Sequence, residues 1–264
     1  MSELIRLGQI ALSFHVAAAA VVTALLQRAG HDVVHVEAPH EDMYQLLGAG
    51  EVDLVCSAWL PDSHGTYIAP FADALLKLGV IYHPFCIWAV PEVTPANVRS
   101  VEDLANPEVA QLFRKRIQGI GPGAGISRFS REMVTAYKLG ALGFHFENGS
   151  LDDCTGACLD AVTKSEAVIV PLWHPQWLHS EVKLRALEEP KGLLGGQDEA
   201  TLVLRKDAAH KFSDHALALL THMQLGNDQV SALDHAVSRG GLSPAVAAQK
   251  WLADNEACVQ SWEA

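Results

Sequence analysis

The chain has 264 residues, 49% of them apolar and 19% charged, and a formal net charge of −12. That length suits one large core or two lobes, and the composition excludes disordered and collagen-like classes. The acidic balance, with Arg114-Lys115-Arg116 as one short basic cluster, argues against a nucleic-acid partner and fits a cationic or zwitterionic small molecule better.

Residues 5–12 read as a first strand and 16–29 as a helix stopped by Gly30. The stretch 10–26 is apolar and Ala-rich like a leader core. Ser13 and His15 interrupt it, no convincing cleavage site follows, and it is too polar to span a membrane. The expectation is therefore a protein without membrane insertion, cytoplasmic if full length and extracytoplasmic if a leader was removed. Residues 33–37 read as a strand, 41–47 as a short helix and 52–58 as a strand. Another strand spans 85–90, and the segment around Pro91 and Pro95 reads as a connection. Ser100-Val-Glu-Asp103 starts a capped helix. A short strand at 117–120 leads into Gly121-Pro-Gly-Ala-Gly125 and a helix over 127–139, then a helix over 151–164 and a strand over 167–172, which Pro171 is expected to end early. A returning strand at 201–205 precedes helices at 213–223, 228–238 and 243–253, the last with Ser243 as N-cap and Pro244 at its first position. Two strand–helix alternations predict an α/β chain of two lobes, each a mainly parallel sheet flanked by helices: 1–90 with 201–264, and 91–200.

Two distant stretches end alike. Glu51 to Pro61 and Glu166 to Pro175 each run from an acidic residue through an apolar strand to Trp-x-Pro, with Trp59 and Trp173 at the two strand ends. Two indoles so placed suit a quaternary ammonium, which binds aromatic faces. Ordinary core packing is the plainer reading for any one of these rings. Trp177 is expected to pack beneath the site and Trp88 to lie in an apolar strand near the crossover. Trp251 and Trp262 are expected to anchor C-terminal helices, and His64 and His15 are candidate pocket polar groups, with a backbone-bonded turn histidine as the plainer reading.

The five cysteines, an odd number, argue against a fully paired framework. Cys154 and Cys158 lack a second ligand pair, and His31 and His35, sharing a strand face, lack a third ligand. No metal is expected. Cys56 and Cys86, in apolar strands, do not read as reactive thiols. The glycine-rich run at 121–125 lacks the dinucleotide fingerprint and any Gly-Lys-Ser/Thr sequence, and no Gly-x-Ser-x-Gly or His-Glu-x-x-His is present. Neither a cofactor nor an enzyme activity is expected.

Gly50-Glu-Val-Asp-Leu with Ala58-Trp-Leu-Pro61, His64 and Tyr67, then Ile120-Gly-Pro-Gly-Ala-Gly125, Leu172-Trp-His-Pro-Gln-Trp177, Lys250-Trp-Leu and Val259-Gln-Ser-Trp262 come in order along the chain. Together they resemble the substrate-binding proteins of glycine betaine/choline-type ABC importers. The resemblance implies a two-lobed periplasmic-binding-protein-like (type II) fold that closes on its ligand, and a membrane transporter subunit as partner. It further implies an aromatic cage for a trimethylammonium group, as in betaine, choline or carnitine. Carried over, Trp59 and Trp173 are cage walls, and Phe14, His15 and Trp88 are candidates for a third. Backbone amides around Ser13, Phe14 and His15, ahead of the first helix, are candidates for a carboxylate. The loop of Gly123, Ala124 and Gly125 offers a second such site. Ala124 stands where some members carry an aromatic, and Gln176 where others carry His. A cytoplasmic sensor or reservoir on the same fold is the alternative, and an enzyme on it the more remote one.

Overall fold

A computed structural model describes residues 3–262. The chain forms two compact units, Met1–Pro84 with Pro175–Trp177 and Asp198–Ala264, and Phe85–His174 with Leu178–Gln197. Their strands are β1 (Ile5–Ile10), β2 (Val33–Ala38), β3 (Leu54–Leu60), β4 (Leu75–Tyr82), β5 (Phe85–Pro91), β6 (Arg116–Gln118), β7 (His145–Glu147), β8 (Val170–His174), β9 (Leu184–Ala186) and β10 (Glu199–Arg205). Helices are α1 (Ser13–Arg28), α2 (His40–Ala49), α3 (Gly65–Ile68), α4 (Pro107–Ala110), α5 (Gly125–Ala136), α6 (Leu151–Thr163), α7 (Leu178–Glu181), α8 (Asp214–His222), α9 (Asn227–Ser238), α10 (Pro244–Asp254) and α11 (Glu256–Trp262).

The first unit is a five-stranded sheet in the order β2-β1-β3-β10-β4. β1 runs parallel to β2 and β3, and β10 antiparallel to β3 and β4. α1 is alanine-rich, the best helix former, and its small side chains let it pack closely on α9 and α10. Against the sheet, Met43, Tyr44 and Leu47 of α2 join Ile10, Val52, Val55, Leu60 and Val203 in one apolar core. Gly8 makes that approach possible, because a Cβ there would lie 2.5 Å from Met43 Sδ. Gly50, at φ +81°, takes the left-handed turn that ends α2.

The second unit holds a three-stranded antiparallel sheet, β8-β5-β9, and a parallel pair, β6-β7. Its pairing is thus more mixed than strand–helix alternation suggests. Residues 85–90 were assigned by sequence to the first lobe, but the hydrogen bonds of this strand run to β8 and β9, so the division falls between Pro84 and Phe85. The return to the first unit likewise comes at Asp198. Pro171 does not end its strand. β8 is an edge strand, so a missing amide donor costs no ladder bond, and Pro171 sits inside it opposite Trp88.

Candidate ligand-binding site

α1 begins three residues earlier than sequence patterning predicts. Leu12 is its extended N-cap, and Ser13, Phe14 and His15 form its first turn rather than the loop ahead of it. Val16 N–H is the first to bond within the helix, to Leu12 O at 3.0 Å. The amides of Ser13, Phe14 and His15 therefore have no intrahelical acceptor, and the helix dipole puts its positive end beside them.

Trp59, one residue from the end of β3, gathers the rings of the first unit. Phe14 lies 5.4 Å from it centroid to centroid, His15 5.6 Å and His64 5.9 Å. The indole N–H donates to Tyr82 Oη at 3.0 Å, and Tyr82 also bonds Ser57 Oγ at 3.1 Å. Burial, its largest influence, holds the Tyr82 phenol far above its usual range, so it stays protonated. His64 Nδ1 accepts the Trp59 backbone N–H at 2.9 Å and lies 2.8 Å from Tyr44 Oη. An Nδ1 that accepts an amide proton cannot carry one, so the neutral His64 ring bears its hydrogen on Nε2. His40 lies 5.4 Å from His64, and Tyr67 stacks on Tyr44 at 5.6 Å.

His15 is 1% exposed. Burial, reinforced by nearby His40, pushes its imidazole well below the usual pKa, so the ring is neutral. Its Nδ1 is buried and makes no hydrogen bond.

The turn after β3 is held from β10's approach. Asp198 accepts the amides of Asp62 at 2.7 Å and Ser63 at 3.1 Å. Trp177, within the Pro175–Trp177 segment of this unit, donates its amide to buried Asp234 of α9 at 2.9 Å, and Arg239 stacks over the indole at 5.0 Å. Burial pushes the Asp234 carboxyl up, and the bonds it accepts hold it partly back. The Ser13 hydroxyl is near it but outside hydrogen-bond geometry.

In the second unit, Trp173 lies inside β8 rather than beyond it, buried and paired with Cys86. Its carbonyl accepts from His179 Nε2 at 2.9 Å, and His179 stacks on His174 at 3.6 Å, which in turn stacks on Phe85 at 4.7 Å. Trp88 is fully buried in β5, and its indole N–H donates to Ser130 Oγ of α5 at 2.8 Å. This bond ties it to α5. The glycine-rich loop is pinned through its carbonyls: Arg131 donates to Pro122 O at 2.9 Å and Arg128 to Gly123 O at 2.7 Å. Ala124 is the N-cap of α5, and the Gly125 and Ile126 amides open that helix without an intrahelical acceptor.

Tyr82, Tyr44 and His40 escaped sequence reading. The run Leu75–Tyr82, apolar and of strand length, was the available signal for β4 and hence for Tyr82. Tyr44 and His40 sit on α2, with no sequence signal linking them to Trp59. His31 precedes β2 and bonds Ser213, whereas His35 bonds Thr23 and Gln9, so the two do not share a ligand face. Among the described residues no cluster of three His, Cys, Asp or Glu is placed to hold a metal. Burial pushes the thiols of Cys154 and Cys158 up to about 12 and about 11 and leaves them poor nucleophiles. A separate cavity of about 400 Å³ in the first unit, lined by Val16, Ala20, Thr23, His35 and Ala245 among others, contains none of the predicted site residues. No described helix is long and apolar enough to cross a membrane.

Residues 3–254 match the family model of the substrate binding domain of ABC-type glycine betaine transport systems. The chain is 25% identical to lactococcal OpuAC, solved in its closed-liganded conformation with glycine betaine, at a TM-score of 0.87 over 99% of this chain and 100% of that one. It superposes equally well, at a TM-score of 0.87 and 21% identity, on the glycine/betaine/L-proline-binding protein ProX of Borrelia burgdorferi, over 98% of this chain and 96% of the other. The glycine betaine/carnitine transport binding protein GbuC of Listeria monocytogenes is 23% identical over 158 residues, 60% of this chain and 52% of GbuC, so the match spans about half of that relative. The two-unit α/β fold and the family match agree: the chain belongs to the family of substrate-binding domains of ABC-type glycine betaine transport systems.

Proposed function

We propose that the chain reversibly binds a small quaternary-ammonium solute, glycine betaine or a relative such as choline or carnitine, and delivers it to the membrane subunit of an ABC importer. Such a role has its workplace outside the cytoplasmic membrane. The observation that carries it is the ring cluster of Phe14, His15, Trp59 and His64 in a chain of this family. Aromatic faces attract a cation that has no hydrogen to donate, and each desolvated contact is worth up to about 2 kcal/mol. Micromolar binding needs roughly 8 kcal/mol. Two or three such contacts with a carboxylate at a helix N-terminus reach it. The first turns of α1 and α5 are the two candidates for that carboxylate. Trp173 of the second unit is proposed to carry part of the cation recognition. The complex of lactococcal OpuAC with glycine betaine supports the choice of ligand.

Titration calorimetry with glycine betaine tests the reading. Trp59→Ala and Trp173→Ala are each expected to weaken binding by about tenfold or more. Unchanged affinity in both variants, or no binding by the unaltered chain, overturns it.

A further inference from the structure

We propose that the cavity bounded by α1, β2 and α10 is a second small-molecule site, separate from the rings around Trp59, and that it takes an uncharged, mainly apolar molecule with one hydroxyl hydrogen to donate. The inference does not depend on the role proposed above. The cavity measures about 400 Å³. Small-molecule sites run from about 300 to 1,000 Å³, with mostly apolar walls and a few placed polar groups. The apolar walls here are Val16, Ala20 and Ala24 of α1, Val33 of β2, and Pro244 and Ala245 of α10. The three α1 residues stand four apart and so form one stripe. β2 is the edge of its sheet, so no further described strand fills the space beside it. No described Asp, Glu, Lys or Arg lines the cavity, and an ion entering it would lose water without gaining an opposite charge.

A chain of hydrogen bonds ends in this cavity, and its direction is fixed. The Glu37 carboxylate, which does not line the cavity, can only accept, so Gln9 Nε2 donates to it at 3.0 Å. Gln9 then turns its carbonyl Oε1 to His35 Nδ1, 2.8 Å away, and that nitrogen must carry the ring's hydrogen. Burial lowers the His35 pKa against the opposing pull of Glu37, so the ring is neutral and Nε2 is an acceptor. Thr23 Oγ1, 3.0 Å from Nε2, therefore directs its single hydrogen there. Lone pairs are all that Thr23 has left, so it offers the cavity an acceptor and nothing to donate. A hydroxyl hydrogen satisfies that acceptor, and an ether of the same size does not. Gln27 and Gln249 also line the cavity, but their amides carry donors and acceptors alike and do not discriminate.

The test is proton–nitrogen correlation NMR of the full chain, titrated with benzyl alcohol and with anisole. The two are isomers with the same aromatic body, and anisole lacks the hydroxyl hydrogen. Benzyl alcohol is expected to shift the amides of Ala20, Thr23, Val33 and Ala245 along one saturating curve, and to bind about fivefold or more tighter than anisole. Thr23→Val keeps the shape and removes the acceptor, and should bring the two ligands to within about twofold of each other. Ala245→Trp, at an exposed position in the first turn of α10, should block the cavity mouth and abolish binding of both. Shifts that do not saturate or that centre on other residues overturn the inference. So do equal affinities in the unaltered chain, a preference for the alcohol that survives Thr23→Val, and unchanged binding in Ala245→Trp. Glycine betaine enters none of these measurements, so failure here leaves the binding role around Trp59 standing, and failure of that role leaves this site standing.

Discussion

The two ends of β3 are built on opposite electrostatic plans. Just before the strand, buried Asp53 is saturated with cations: it accepts from Arg6 N at 2.9 Å, Arg6 Nη2 at 2.6 Å and Lys211 Nζ at 3.0 Å. Burial by itself would push the Asp53 carboxyl up, but the bonds from Arg6 and Lys211 outweigh it and hold the group below the usual carboxylate range. At the other end Trp59 is surrounded by Phe14, neutral His15, His64 and a protonated Tyr82. One end completes its charges within the chain and so can only stabilise the fold. The other surrounds its indole with uncharged rings, the Asp198 carboxylate being held on the Asp62 and Ser63 amides of the turn beyond, and a cation there would meet aromatic faces.

Breaking the charged end should have the largest effect. Asp53→Ala leaves Arg6 and Lys211 without their shared partner and is expected to cost about 3 kcal/mol of stability by urea denaturation, with glycine betaine affinity unchanged. A coupled loss of affinity would show that the two ends are not independent. Trp59→Phe sharpens the aromatic end. It keeps a ring but loses the bond to Tyr82 and the larger face, and affinity should fall about tenfold, roughly 1.4 kcal/mol, with a smaller change in stability. Tyr82→Phe removes the acceptor of the indole N–H and the partner of Ser57 Oγ, and should cost about 1 kcal/mol of stability with a roughly threefold loss of affinity, checked by denaturation and calorimetry.

The smallest effect is in pH dependence, and the two ends should fail in different windows. His15 titrates lower folded than unfolded, so the unfolded chain binds the extra proton as pH falls below about 6.5, and stability declines from there. Asp53, also lowered, contributes stability that is lost only as pH falls below about 3.9. Stability measured against pH should therefore decline first through the histidine window, which His35 and His179 share because burial lowers them too, and His15→Phe should reduce that first decline and leave the second. A single decline below pH 4 in the unaltered chain would contradict this assignment.

Much of the candidate site was legible because it depends on local pattern. Trp59 and Trp173 stood out because each closes an apolar strand run before a proline, and both strands form. Tyr82, Tyr44 and His40, supplied by other elements, were not. Tyr44 reaches Trp59 through His64, from a helix whose pattern says only which face is buried. Which core Trp88 fills likewise depends on pairing. β5 joins β8 and β9, and the indole ends on Ser130. Pairing partners are long-range choices that one strand's sequence does not encode. Ser13 to His15 were assigned to a loop because Leu12 is a helix N-cap without a capping side chain and left no mark to read.

One bond that seats Pro175–Trp177 on the first unit runs from a main-chain amide to Asp234. Nineteen of the twenty amino acids own that donor. Randomising position 177 should therefore leave the tether intact for every replacement but proline, and survivors should be ranked by how well they fill the space under Arg239. Position 234 has no such latitude, because Gln or Ala there withdraws the acceptor geometry from the tether and from Ser238 at once.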